Sequence, residues 1–141
     1  MATEIKVWQI ENGKLAPINT TMVGAGRTEL EDLEQWIKSN PSILGQDILI
    51  IGEQVQTKSG PLDFLGIDKS GNVVIIELKR GRIPREALAQ AIDYASDVAS
   101  WDSDKLNNEC KTYRNQSLDE YISECFEDID LENIFFNQTQ R

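Results

Sequence analysis

Glu77 follows Asp63 at a distance of 14 residues and is itself followed by Leu78 and Lys79. The apolar run Val73-Val74-Ile75-Ile76 leads directly into this Glu-Leu-Lys. Side chains alternate across a strand, so Glu77 and Lys79 point the same way, in line with Val73 and Ile75. A carboxylate and an ammonium at the end of a buried strand are costly to desolvate unless they pair or bind a metal. If residues 62–67 and 73–79 form a hairpin, Asp63 meets Glu77. Two carboxylates brought together repel, which favours a divalent cation between them. A plain salt bridge of Glu77 or Asp63 with Lys79 is the alternative use of the same three residues.

Further residues bear on that choice. Glu34 lies four residues after Leu30 and three before Ile37, inside the apolar stripe of a helix predicted over residues 28–39. It is either a third ligand or water-holder facing the acids of the sheet, or a glutamate snorkelling at the stripe's edge. Gln90 and Tyr94 are i, i+4 neighbours on a later helix. Their spacing suits either packing or the delivery of an amide and a phenol to the strand end. Arg80, Arg82 and Arg85 follow the Glu-Leu-Lys and, with Lys79, make the one dense basic cluster. Arginines beside a helix N-terminus suit phosphate contacts, although a solvated charged turn would look the same.

Composition narrows the chemistry. The chain has 141 residues, 24 acids, 14 Lys and Arg, a formal net charge of −10 and no histidine. The missing histidine excludes Ser-His-Asp and Cys-His catalysis and histidine-based zinc sites. Catalysis must therefore use carboxylates, lysine, tyrosine, hydroxyls or an oxygen-bound metal. Cys110 and Cys125 are too few and too far apart for a disulfide framework or a CxxC metal site. The amino-terminal residues lack the apolar core of a signal peptide, and no apolar run of about 18 residues exists. A cytoplasmic protein that does not enter membranes is expected. An acidic protein is at first sight a poor nucleic-acid binder, but the charge is uneven. Residues 1–100 hold 14 acids against 10 bases, whereas residues 101–132 hold 10 against 3.

The elements that must position these residues are read from turn and periodicity signals. Residues 5–10 and 15–18 are predicted to form a hairpin around Asn12-Gly13. Thr28 is the expected N-cap of the first helix, with Glu31 completing a capping box, and Asn40-Pro41 ends that helix. Strands are predicted over 47–57, 62–67 and 73–79. Pro84 suits the start of a helix to about Trp101 whose packing face is Leu88, Ala91, Ile92, Ala95, Val98 and Ala99. Shorter helices are predicted over 103–113 and 117–127, the latter with an acidic solvated face. The fold class is mixed α+β: a central mixed sheet flanked by helices, with an amino-terminal hairpin and carboxy-terminal helices. One domain over 1–141 is expected: a hairpin extension (1–26), a motif-bearing core (28–101) and an acidic helical part (102–141), either shortened or a fragment.

Gly60-Pro61-Leu62-Asp63, Glu77-Leu78-Lys79-Arg80 and Gln90-x-x-x-Tyr94, in this order and spacing, resemble the PD-(D/E)XK nuclease superfamily. Within it they are similar to the RecB-like group with a QxxxY motif, and most of all to the NucS-type endonuclease C-terminal domain. Glu34, Ile37, Asn40-Pro41, Ile43-Leu44-Gly45 and Ile51-Gly52-Glu53-Gln54-Val55 extend the resemblance across residues 28–101. It implies a restriction-endonuclease-like core and metal-dependent hydrolysis of DNA phosphodiester bonds by an endonuclease. It also implies Asp63 and Glu77 as ligands of Mg²⁺ or Mn²⁺, and Lys79 orienting the attacking water and stabilising developing charge. Glu34 would be the helix-borne acid, with Glu29 and Glu31 as alternatives. Gln90 and Tyr94 would touch the site or the nucleic-acid backbone. DNA, single-stranded or branched forms included, is the expected partner, and a homodimer is a further expectation. The rival reading is a non-catalytic nucleic-acid- or protein-binding module of a larger repair or defence system. For that reading the net charge and the lack of interleaved aromatic and basic residues speak in favour.

Overall fold

A computed structural model describes residues 8–11, 14–17, 33–45, 47–79 and 85–141. The expected turn at Asn12-Gly13, the Thr28 cap, Glu29, Glu31, Arg80, Arg82 and Pro84 lie outside the described residues. Strands β1 (Trp8–Glu11) and β2 (Lys14–Pro17) pair antiparallel, as the hairpin reading expects. Helix α1 is described over Glu34–Ser39 and is followed by a 3-10 turn at Pro41–Ile43. The main sheet is β3 (Ile48–Thr57), β4 (Gly60–Asp68) and β5 (Val73–Ile76) in that spatial order, each neighbouring pair antiparallel. Helices α2 (Arg85–Val98), α3 (Ser103–Arg114) and α4 (Leu118–Cys125) complete a mixed α+β fold.

Two apolar clusters cover the sheet's two faces. Leu49, Ile51, Leu65, Ile67 and Val73 pack with Tyr94, Val98, Leu106, Cys110, Leu118 and Ile122 of α2, α3 and α4. Ile50, Phe64, Val74 and Ile76 pack instead with Ile37 of α1, with Leu33, Leu44 and Leu78 at the margin. β-branched residues suit strands buried on both sides, which is why this sheet reads as nearly continuous apolar sequence. Cys110 is a free thiol inside the first cluster, and burial pushes it up to about 11. The acids Asp119, Glu120, Glu124, Glu127, Asp128, Asp130 and Glu132 are all exposed, as a solvated face should be.

The packing face predicted for α2 is turned. Ala87, Tyr94 and Val98 are its buried residues, while Leu88 and Ile92 remain 66% and 60% exposed. Both sets recur at helical spacing, so periodicity alone does not choose between them. Two polar ties do. Tyr94 donates its hydroxyl to the Pro61 carbonyl at 2.9 Å, and the Asp97 carboxylate accepts the Ser59 N–H at 2.7 Å. The helix also stops at Val98, short of Trp101. There the Val98 carbonyl accepts the Trp101 N–H at 2.9 Å, and Asn137 donates its side-chain amide to the carbonyls of Val98 (2.7 Å) and Trp101 (2.8 Å), tying the turn after the helix to the carboxy-terminal residues.

The main sheet is antiparallel throughout, not mixed as expected, and the only parallel contact among the described residues is an isolated bridge from the carboxy-terminal residues to its β5 edge. Gln140 bridges Val73 in parallel, and Val73 donates its N–H to the Thr139 carbonyl. Arg141 and β5 exchange backbone bonds, with Arg141 N–H on Val73 (2.8 Å) and Ile75 N–H on Arg141 (2.7 Å). The side chain of Arg141 reaches Asp68 at 2.8 Å. Asp68 ends β4 and organises the turn into β5, accepting from the N–H groups of Ser70 and Asn72 and from the Asn72 amide. Its side chain is only 5% exposed. Burial works against its charge, but Arg141, Asn72 and Ser70 together hold the carboxyl below its ordinary 3.8.

A lowered carboxyl contributes stability that is complete above its unfolded value and is lost as pH falls through the folded one. Asp68→Ala removes the acceptor of these donors and should cost about 2–3 kcal/mol at neutral pH. Urea unfolding at neutral pH and in acid measures both effects. The loss should shrink as pH falls below 3.8. A penalty that stays constant into acid would show that the carboxylate charge is not what matters.

Candidate active site

The β4–β5 ladder runs from Ile67↔Val73 to Phe64↔Ile76 and stops there. The next row would place Asp63 opposite Glu77, as the hairpin reading expects, but side chains take the place of the backbone pairing. Asp63 Oδ2 accepts the N–H of Leu78 at 2.8 Å, and the Asp63 N–H points at Glu77 Oε2 at 3.5 Å. The β3–β4 ladder is interrupted in the same row, with pairs at Glu53↔Phe64 and Val55↔Leu62 but none at Gln54 and Asp63. Gln54 has a left-handed backbone (φ 48°), and its side chain donates to Asp63 Oδ1 at 3.1 Å. The β-bulge between Ile50 and Gly52 precedes this distortion. Gln54, Asp63 and Glu77 therefore form a polar row across three strands. The regular part of β5 ends at Ile76, short of the predicted Lys79, because this row replaces the ladder.

Around the row the other candidates fall into place. Lys79 Nζ donates to Glu77 Oε1 at 2.6 Å. That bond raises the lysine's affinity for its proton; burial opposes the rise, and the charges of Glu77 and Asp63 add to it. Glu34 projects from α1 on one face of the sheet. Burial first, then the charges of Glu53 and Asp63, raise its carboxyl above the usual 4.5, while Lys38 opposes them. On the other face, Gln90 donates to the Tyr94 hydroxyl at 2.7 Å, which in turn donates to Pro61 two residues before Asp63. Gln90 and Tyr94 thus hold the strand that carries Asp63, and Tyr94 lies within electrostatic reach of Lys79. Arg85 is exposed at the start of α2; Arg80 and Arg82 fall outside the described residues.

Sequence reasoning missed Lys38, and it quoted Glu53 and Gln54 only as part of the resemblance, without a site role. Lys38 of α1 forms an ion pair with Glu53 of β3. The available signal was Gly52 inside a strand, which marks a bulge. Beside Glu53 stands Gln54, a polar residue in register with Asp63. The oxygen-only donors of Asp63 and Glu77 suit a hard cation, which commonly takes one or two carboxylates and completes its shell with water and phosphate. Among the described residues, no three His, Cys, Asp or Glu converge as a ready-made cage.

A mixed α+β domain with a carboxylate–lysine row where its sheet ends is the class these elements define. The model of the endonuclease NucS C-terminal domain matches residues 29–132. The Endonuclease NucS of Aeropyrum pernix is 38% identical over 68 residues, covering 48% of this chain and 26% of that protein. That of Sulfolobus acidocaldarius is 28% identical over 89 residues, covering 63% and 34%. That of Methanopyrus kandleri is 34% identical over 64 residues, covering 45% and 25%. No solved structure matches the chain. The chain belongs to the endonuclease NucS C-terminal domain family, a nuclease family. It spans roughly a quarter to a third of the length of these relatives. Among the described residues, no helix is long and apolar enough to cross a membrane.

A raised carboxyl destabilises the fold once ionised: its contribution is lost as pH rises through the folded value. Glu34→Gln should therefore raise the thermal midpoint of the metal-free protein at pH 7. The gain should disappear below the ordinary carboxyl value of 4.5. Calorimetry at both pH values checks this, and a Glu34→Gln protein that melts lower at pH 7 would show the site is not under charge strain.

Proposed function

We propose that this domain hydrolyses DNA phosphodiester bonds as a divalent-cation-dependent endonuclease. The observation that carries this reading is the break in both ladders at one row. Asp63 and Glu77 face each other there, with Lys79 beside them. A sheet gives up backbone pairing at that row and gathers two acids and a cation in its place. Membership of a nuclease family supports the same reading.

Asp63 and Glu77 would hold Mg²⁺ or Mn²⁺, whose chemistry is to polarise the phosphodiester and lower the pKa of bound water. The protein's own residues do the rest. The Leu78 N–H and the Gln54 amide each occupy one lone pair of Asp63, so the carboxylate's orientation is set before any cation arrives. Lys79 is held in its charged form by Glu77, which suits it to orient water and to stabilise negative charge developing on the phosphate. A lysine so held is poorly suited to act as the proton acceptor. Glu34 has a raised carboxyl affinity for protons and is the better candidate to receive one. Gln90 and Tyr94 fix the strand bearing Asp63, and Arg85, with Arg80 and Arg82, offers guanidinium contacts to the phosphate backbone.

The net charge of −10 limits affinity for a polyanion, so binding by this domain should weaken steeply with salt. Incubation with single-stranded, duplex and branched DNA plus Mg²⁺ or Mn²⁺ tests the proposal directly. The parent should cut, and Asp63→Ala and Lys79→Ala should each lose at least about 100-fold in rate. Cleavage that persists in Asp63→Ala would assign the activity to a contaminant. DNA binding without cleavage and without heat of Mg²⁺ binding would favour a non-catalytic module.

A further inference from the structure

Lys38 and Glu53 are charged, half-buried and close to the active row, yet the hydrolytic reading gives neither a task. Lys38 lies four residues after Glu34 in α1, so the two side chains share one side of the helix. An i, i+4 pair with the glutamate first is the favourable order for an ion pair along a helix. Lys38 therefore has two acids within reach, and it attracts both. Its ammonium is bonded to Glu53, across the gap between α1 and β3, and not to Glu34 on its own helix. Glu53 sits one residue before the distorted Gln54 and pairs with Phe64, the neighbour of Asp63. It is thus anchored to the strand that frames the row. Tyr113 of α3 also lies within electrostatic reach of Lys38 and Glu53.

We propose that Glu53 is a positioning residue for the hydrolytic site: by holding the Lys38 ammonium against β3, it keeps that cation off Glu34, whose carboxylate lies within electrostatic reach of Asp63. The inference rests on the reading of Glu34 as a member of that site. Without Glu53, the acid left within electrostatic reach of Lys38 among the described residues is Glu34. An ammonium seated there would tie up the carboxylate and place a positive charge where the site would take a divalent cation. The pair thus works as a parking place for a charge that α1 carries close to the active row.

This arrangement makes a reciprocal prediction that a simple structural tie does not. Glu53→Gln should lower the rate of DNA cleavage by about tenfold, a size typical of coupling between contacting residues. It should also raise the Mg²⁺ concentration needed for half-maximal rate, with little change in KM for DNA. Lys38→Met should fall less, and Glu53→Gln/Lys38→Met should recover to within about threefold of the parent, because the intruding cation is gone. In the metal-free protein, the carboxyl ¹³C resonance of Glu34 should move in Glu53→Gln and return in the double variant. Thermal melts of the three variants confirm that folded protein is compared. A double variant no better than Glu53→Gln, or a Glu34 resonance indifferent to both changes, overturns the proposal. A parent that cuts no DNA would instead sink the hydrolytic reading, and the resonance of Glu34 would still decide whether Glu53 diverts Lys38.

Discussion

Leu78 gives its N–H to Asp63 and not to a backbone carbonyl, and much of this domain's layout follows from that exchange. A central β-hairpin normally pairs its backbone along its length, because buried N–H and C=O groups are expensive to leave unmet. Here the hairpin keeps its pairing from Ile67↔Val73 to Phe64↔Ile76 and then substitutes side-chain acceptors for main-chain ones. The substitution satisfies the backbone donor and also fixes the carboxylate, so structural need and site orientation coincide in one bond. Gln54 repeats the device on the other side of Asp63, where a left-handed residue opens the second ladder. Helices on opposite faces then converge on the same row: α1 brings Glu34, and α2 brings the Tyr94 hydroxyl to Pro61.

The facing of Asp63 and Glu77 was legible in the sequence because two local signals agree on it. A turn rich in Asp, Gly and Asn sets the hairpin register, and strand alternation then does the rest. The four described helices could also be read, since caps and periodicity act within a few residues. The Ser117–Glu120 capping box at the head of α4 is such a signal. The rotation of α2 could not be read the same way. Leu88 and Ile92 are more apolar than Ala87, but the choice of face is made by Tyr94 and Asp97 bonding to residues some thirty to forty positions earlier. The positive φ of Gln54 and the crossing of Lys38 to Glu53 are likewise tertiary outcomes, without a signature in their own neighbourhood.

Charge organises the site as much as hydrogen bonding does. Acids from α1, β3, β4 and the end of β5 stand near one another, and two lysines divide the task of balancing them: Lys79 on Glu77 and Lys38 on Glu53. Glu34 and Asp63 are left without a lysine bound directly to them among the ion pairs of the described residues, and repulsion between them shows in Glu34. Such an arrangement sacrifices stability to maintain a local field that attracts cations. The broad acidity of α4 and the segment after it is a different matter, since those carboxylates are solvated and remote from the row in sequence.

The short parallel pairing of residues 139–141 with β5 carries a consequence beyond its few bonds. A sheet edge with unmet N–H and C=O groups is a template on which a second chain can lay a strand. Along Val73–Ile75 those groups are already engaged, by Thr139 and Arg141. The most apolar strand of the molecule is thereby closed to edge-to-edge growth, which protects a nearly all-β-branched segment from aggregation. Among the described residues, the backbone of β5 is thus closed to a second copy, while Leu88 and Ile92 of α2 leave an apolar side-chain face exposed.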